Sequence, residues 1–145
     1  MQADEALAAG VQLLAPLIQA HGFTFVMLAG GQGSGGRSAS GEFRRERAGQ
    51  VRRLELHFRH SLGLVTYHVD RTALSHADYM RALKAKNEYP GFSDDPLDGF
   101  RHLLHDLERY AGDFLDGVGD EFARCVQDTE RFNAQSGFKR LSETN

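Results

Sequence analysis

Leu54-Glu55-Leu56-His57-Phe58-Arg59, followed after Ser61-Leu62-Gly63 by Val65-Thr66-Tyr67-His68-Val69-Asp70, alternates apolar and polar side chains residue by residue. A period of two belongs to a strand with one buried face. Leu54, Leu56, Phe58, Val65, Tyr67 and Val69 therefore point into a core, and their polar neighbours point away. A turn around Ser61-Leu62-Gly63 pairs Phe58 with Val65, Leu56 with Tyr67 and Leu54 with Val69, which sets Glu55 opposite His68 and Arg53 opposite Asp70. Slipping this pairing by two residues sets Glu55 against Asp70, and like charges directly opposite are destabilising.

The segment before it extends the sheet. A two-residue turn at Gly49-Gln50, glycine first as a type II′ turn requires, sets Glu42 opposite His57, Arg44 opposite Glu55 and Glu46 opposite Arg53. A turn at Ala48-Gly49 would oppose Glu42 to Glu55 and Arg44 to Arg53, and is disfavoured on the same electrostatic ground. Glu42, Arg44, Glu55, His57 and His68 then belong to one charge-neutralised, solvent-facing surface. Arg44-Arg45 and Arg52-Arg53 look like a nucleic-acid patch only until their carboxylate partners are counted. Arg45 and Arg47 fit neither face cleanly. With the apolar run Phe23 to Leu28 as a first strand, the sheet is a four-stranded antiparallel meander.

Helices flank it. Leu7, Val11, Leu14 and Ile18 share one helical face from a cap at Asp4 to a stop at His21-Gly22, with Gly10 and Pro16 weakening or kinking the helix. Ser75, with Asp78 three residues on, has the form of a capping box opening a short helix through Tyr79, Met80 and Leu83. Asp95 as cap, with Pro96 in the first helical position, starts the longest helix, striped by Leu97, Phe100, Leu104, Leu107 and Phe114. A break at Gly117-Val118-Gly119 precedes a last helix carrying Phe122, Val126 and Phe132. The expected fold is α+β: an N-terminal helix, the four-stranded meander, then three C-terminal helices packed on one face. Residues 1–134 form one domain and 135–145 a polar, mobile tail.

Composition narrows the function classes. A chain of 145 residues, 41% hydrophobic and 26% charged, is long enough for a real core. Its single cysteine excludes an intramolecular disulfide framework. Asp4 and Glu5 stand where a signal peptide carries positive charge, and the apolar runs are too short to span a bilayer. A cytoplasmic protein with no membrane partner is expected. Net charge is −3, yet Arg37 to Lys86 holds 11 basic and 5 acidic residues, +6, while Glu88 to Glu130 holds 3 basic and 12 acidic, −9. Such asymmetry suits a basic protein partner on the helical half, or self-association including a homodimer, better than it suits nucleic acid.

No motif commits to a reaction. Gly31-Gln32-Gly33-Ser34-Gly35-Gly36 has the letters of a dinucleotide fingerprint, but it leads into a strand where a phosphate-binding helix should start. His102, His105 and Asp106 share one helical turn, and His102 with Asp106 has ligand spacing. Two ligands are not a site, so no metal and no cofactor are expected. Cys125 lies in the register of Phe122 and reads as a buried small hydrophobe. The segment Tyr89-Pro90-Gly91-Phe92-Ser93-Asp94-Asp95-Pro96 places aromatics beside acids, so Tyr89, Phe92, Asp94, Asp95 and Asp98 are the candidate partner-binding residues.

The stretch His57 to Phe114 resembles small bacterial proteins of the immunity, toxin-neutralising kind, which are compact α+β domains with acidic faces. That resemblance implies a noncatalytic protein-binding module and transfers no site. The alternative is a small ligand-binding domain or hydrolase-like enzyme using the sheet-face residues Glu42, Arg44, Glu55, His57 and His68, with the carboxylate orienting a histidine base.

Overall fold

The computed structural model describes residues 2–29, 38–91 and 93–143, the last seven of these by backbone alone. Helix α1 (Ala3–Gln19) is followed by five strands, β1 (Thr24–Ala29), β2 (Ala39–Arg47), β3 (Gln50–Arg59), β4 (Ser61–Val69) and β5 (Thr72–Ser75). Four helices complete the chain: α2 (His76–Leu83), α3 (Asp98–Tyr110), α4 (Gly112–Asp116) and α5 (Glu121–Glu143). The strands form one antiparallel sheet in the order β1-β2-β3-β4-β5. The meander is thus one strand wider than expected, because Thr72–Ser75 pairs with Thr66–Val69 before the chain turns into α2.

The faces are as the alternation dictates, but both inner registers differ from expectation. Between β2 and β3 the turn is Ala48-Gly49, with Arg47 opposite Gln50. Ala48 and Gly49 have φ of 52° and 78°, positive at both central positions as a type I′ turn demands. Glu42 consequently faces Glu55, and Arg44 faces Arg53. Between β3 and β4 the chain reverses at His60 (φ 64°), and a bulge at Gly63 leaves Phe58 opposite Leu62, Leu56 opposite Val65 and Leu54 opposite Tyr67. Away from the bulge each register is two residues from the expected one, and a slip of two keeps every side chain on its face. Turn geometry set the pairing, and the charges adjusted diagonally. Arg53 Nη1 donates to Glu42 Oε2 at 2.8 Å, and Glu55 is held between His57 and His68.

One face of the sheet carries the core. Leu54, Leu56, Phe58, Val65 and Tyr67 pack with Leu7, Leu14 and Ile18 of α1, Tyr79 and Met80 of α2, Phe100, Leu103 and Leu107 of α3, and Phe114 of α4. Gly10 serves α1 as a notch: a Cβ there would lie 2.4 Å from the Phe100 ring. Ser75 caps α2 by accepting from the Asp78 N–H at 3.0 Å. Asp4 is no cap: α1 begins from Gln2 without a side-chain cap, and Asp4 lies in its first turn. Pro96 precedes α3 rather than starting it, and the long helix expected to reach Phe114 ends at Tyr110, so Phe114 belongs to α4. The tail expected beyond Ala134 continues α5 to Glu143.

Two arginines complete the core face. Arg45 and Arg52 share a sheet face with Phe43 and Leu54, and both are buried. Arg45 Nη1 donates to Leu115 O at 2.5 Å and His21 O at 2.8 Å, while Arg52 Nη1 donates to Phe114 O at 2.9 Å. These carbonyls lie at the C-terminal ends of α1 and α4, where the helix leaves acceptors unpaired and the dipole favours a cation. Gly117 (φ 72°) closes α4 against them; a Cβ there would sit 2.8 Å from Arg45 Nη2.

Candidate functional site

The expected partner loop is largely committed to the protein itself. Tyr89 is a core residue, not an exposed anchor: it is buried, and its hydroxyl donates to Leu62 O at 2.6 Å. Burial pushes the Tyr89 phenol up to about 12. Asp95 Oδ1 accepts the Leu97 N–H at 2.8 Å, and Arg101 Nη1 reaches Asp95 Oδ2 at 3.1 Å and Asp98 Oδ1 at 2.5 Å. The backbone N–H of Leu97 holds the Asp95 carboxyl below its ordinary range, and the Ser93 hydroxyl does the same for Asp98. Asp94 is exposed. Phe92, like the glycine-rich segment Gly31 to Gly36, lies outside the described residues.

On the uncovered face of the sheet, Glu55 bridges two imidazoles, taking His57 Nε2 on Oε2 and His68 Nε2 on Oε1, the latter at 2.9 Å. The hydrogen bond from His57 holds its carboxyl below the ordinary value against the opposing effect of burial. Glu42 lies beside this group, nearly buried, with Arg53 as its ion-pair partner; Arg44 is exposed. A shallow cavity of about 410 Å³ opens at the Ser40 end of this face, lined by Ala29, Ser40, His57, Arg59 and Leu64. Ser40 stands directly opposite His57. Of the five sheet-face residues His57 alone lines this cavity.

The strongest polar constellation was not legible as one. Tyr67, His76 and Asp106, from β4, α2 and α3, form a buried chain: Tyr67 Oη to His76 Nδ1 at 2.7 Å, and His76 Nε2 to Asp106 Oδ2 at 2.8 Å. Asp106 also accepts from the Tyr89 N–H on Oδ2, and from the Glu88 N–H and His105 Nδ1 on Oδ1. Burial alone would raise its carboxyl, yet these hydrogen bonds hold it below the ordinary value. Each oxygen takes two donors, which leaves none for a metal. Among the described residues no three His, Cys, Asp or Glu side chains assemble as a metal site. The geometry of this chain is that of a buried nucleophile–base–acid series, but with no access to substrate it fixes α2 and α3 to the sheet. A buried tyrosine in a strand needs a partner for its hydroxyl, and that need is the one sequence signal pointing to it.

Cys125 is buried in α5, and burial raises its thiol to about 11, away from nucleophilic use. Among the described residues no helix is long and apolar enough to cross a membrane. Comparison with protein-family models, with curated proteins and with solved structures finds no match.

Proposed function

We propose that the protein is a noncatalytic protein-binding module of the toxin-neutralising kind, engaging a basic partner through its acidic helical side. The observation that carries this reading is a groove of about 450 Å³ between α5 and the neighbouring strands. Val69, Phe122 and Val126 line it, with Arg52 in its wall on the sheet side and Asp120 and Glu130 on α5's side. An apolar lining beside carboxylates accepts the stem and head of a lysine or arginine at once. Asp94, Glu108 and Glu121 add exposed negative charge on the same half of the chain, and complementary charge chiefly accelerates encounter. The buried Tyr67-His76-Asp106 series and the buried thiol supply no competing catalytic centre.

The test is parallel capture of basic proteins from a bacterial lysate by the wild-type chain and by the D120K/E130K and D94K/D98K variants. Binding kinetics follow at two salt concentrations with any protein retained. The reading expects a basic partner whose association rate, and its salt dependence, falls in the charge-reversed variants. A partner insensitive to these changes but lost on changing Arg53 or His57 moves the interface to the sheet. The second reading, a small-ligand site on the sheet face, rests on the cavity beside Ser40 and His57; His57→Ala abolishing small-molecule binding there would favour it.

A further inference from the structure

The sheet ends on one side in an edge strand unlike the other edge. β5 is four residues long and runs straight into α2, which is how native sheets blunt an edge. β1 is six residues, Thr-Phe-Val-Met-Leu-Ala, with no charge and no proline, and no described strand pairs with its outer side. Val26, Met27 and Leu28 are exposed at 47, 41 and 48%. Val26 lies on the face of Glu42 and Met27 on the face of Gly41 and the core; Phe25 packs against Phe43 on that inner face, and among the described residues the strand is uncovered on its Val26 face and along its backbone edge. An apolar edge of this kind is a template for adding a strand.

Charge distribution indicates which strand. From Ala6 to Ala29 the chain has no Asp, Glu, Lys or Arg, although 26% of the whole sequence is charged. This stretch comprises α1 from its first turn onward and all of β1. Its one ionisable side chain, His21, contacts Asp116 at 2.9 Å. In a contact with two-fold symmetry each group near the axis approaches its own copy, so any charge there meets a like charge. An uncharged strand meets its own copy without such repulsion, and depletion of charge marks interface cores. A basic partner, in contrast, gains nothing from a neutral surface when the other half of the chain is acidic.

We propose that β1 pairs antiparallel with β1 of a second copy, making a two-fold dimer with a continuous ten-stranded sheet. The dimer leaves the acidic helical side of each copy free, and stands or falls independently of the function proposed above.

Sedimentation equilibrium of the full chain across micromolar concentrations tests it, with V26K as the edge variant and L64K as the control. Leu64 is more exposed, at 62%, but lies on β4 within the sheet. Hydrogen exchange of β1 amides provides the second measurement. The expected result is twice the 16.1 kDa chain mass for wild type and L64K, a shift of at least tenfold towards monomer for V26K with unchanged circular dichroism, and protection of β1 amides that rises with protein concentration. A wild-type monomer throughout overturns the proposal, whether or not another protein then binds β1. So does a dimer that V26K leaves intact with β1 amides exchanging freely.

Discussion

Glu42 and Glu55 stand directly opposite each other on β2 and β3, and each has its own partners: Glu42 pairs with Arg53, and Glu55 is hydrogen-bonded to His57 and His68. Cross-strand repulsion therefore did not choose the register. The type I′ turn at Ala48-Gly49 did, since its backbone twist matches the flanking strands, and long side chains found opposite charges on the diagonal, within their reach.

Glu42 is the more deeply placed of the two carboxylates. Arg53→Met should cost about 3 kcal/mol, because it leaves a nearly buried charge without its partner. The double variant with Glu42→Gln should recover most of that loss. Urea unfolding of the three proteins measures the coupling, and additive losses would show that the pair does not interact.

Glu55 and Asp106 are both held below the ordinary carboxylate range. A group with a lowered folded-state pKa contributes stability that is present above its unfolded value, about 4, and is lost as pH falls through the folded value. The difference in melting temperature between wild type and Glu55→Gln should therefore shrink as pH drops below about 4. A difference that grows on acidification would reverse the assignment.

Gly10→Ala ought to stabilise an isolated helix by about 1 kcal/mol. Here the added methyl meets Phe100 at 2.4 Å, so a net loss of about 1–3 kcal/mol is expected from overpacking. Thermal or urea unfolding checks the sign, which is the informative quantity.

Leu56 and His57 are adjacent on β3, one in the core and one on the open face. Leu56→Ala should cost on the order of 2–5 kcal/mol, while His57→Ala should cost less than about 1 kcal/mol. Equal, small effects would contradict the inward placement of Leu56.

The alternation along the chain determined which face each strand residue occupies, because its period of two survives any slip by two. The sequence also determined the antiparallel order, the Ser75 cap and the break after α4, since each follows from neighbours within a few residues. The registers were not legible from side-chain pairing, because they depend on turns with a positive φ at Ala48 and His60 that neither side chain advertises. The tertiary structure alone decided that Arg45 and Arg52 are core residues: an arginine in an inward position reads as an error until the helix carbonyls that accept from it are in place. It moved Tyr89 inward and committed Asp95 and Asp98 to Arg101, leaving less of the expected partner loop free. It assembled Tyr67, His76 and Asp106 from three elements up to 39 residues apart in sequence, a distance over which no spacing rule operates. Local chemistry is written along the chain, whereas burial and long-range hydrogen bonds exist only once the helices have closed on the sheet.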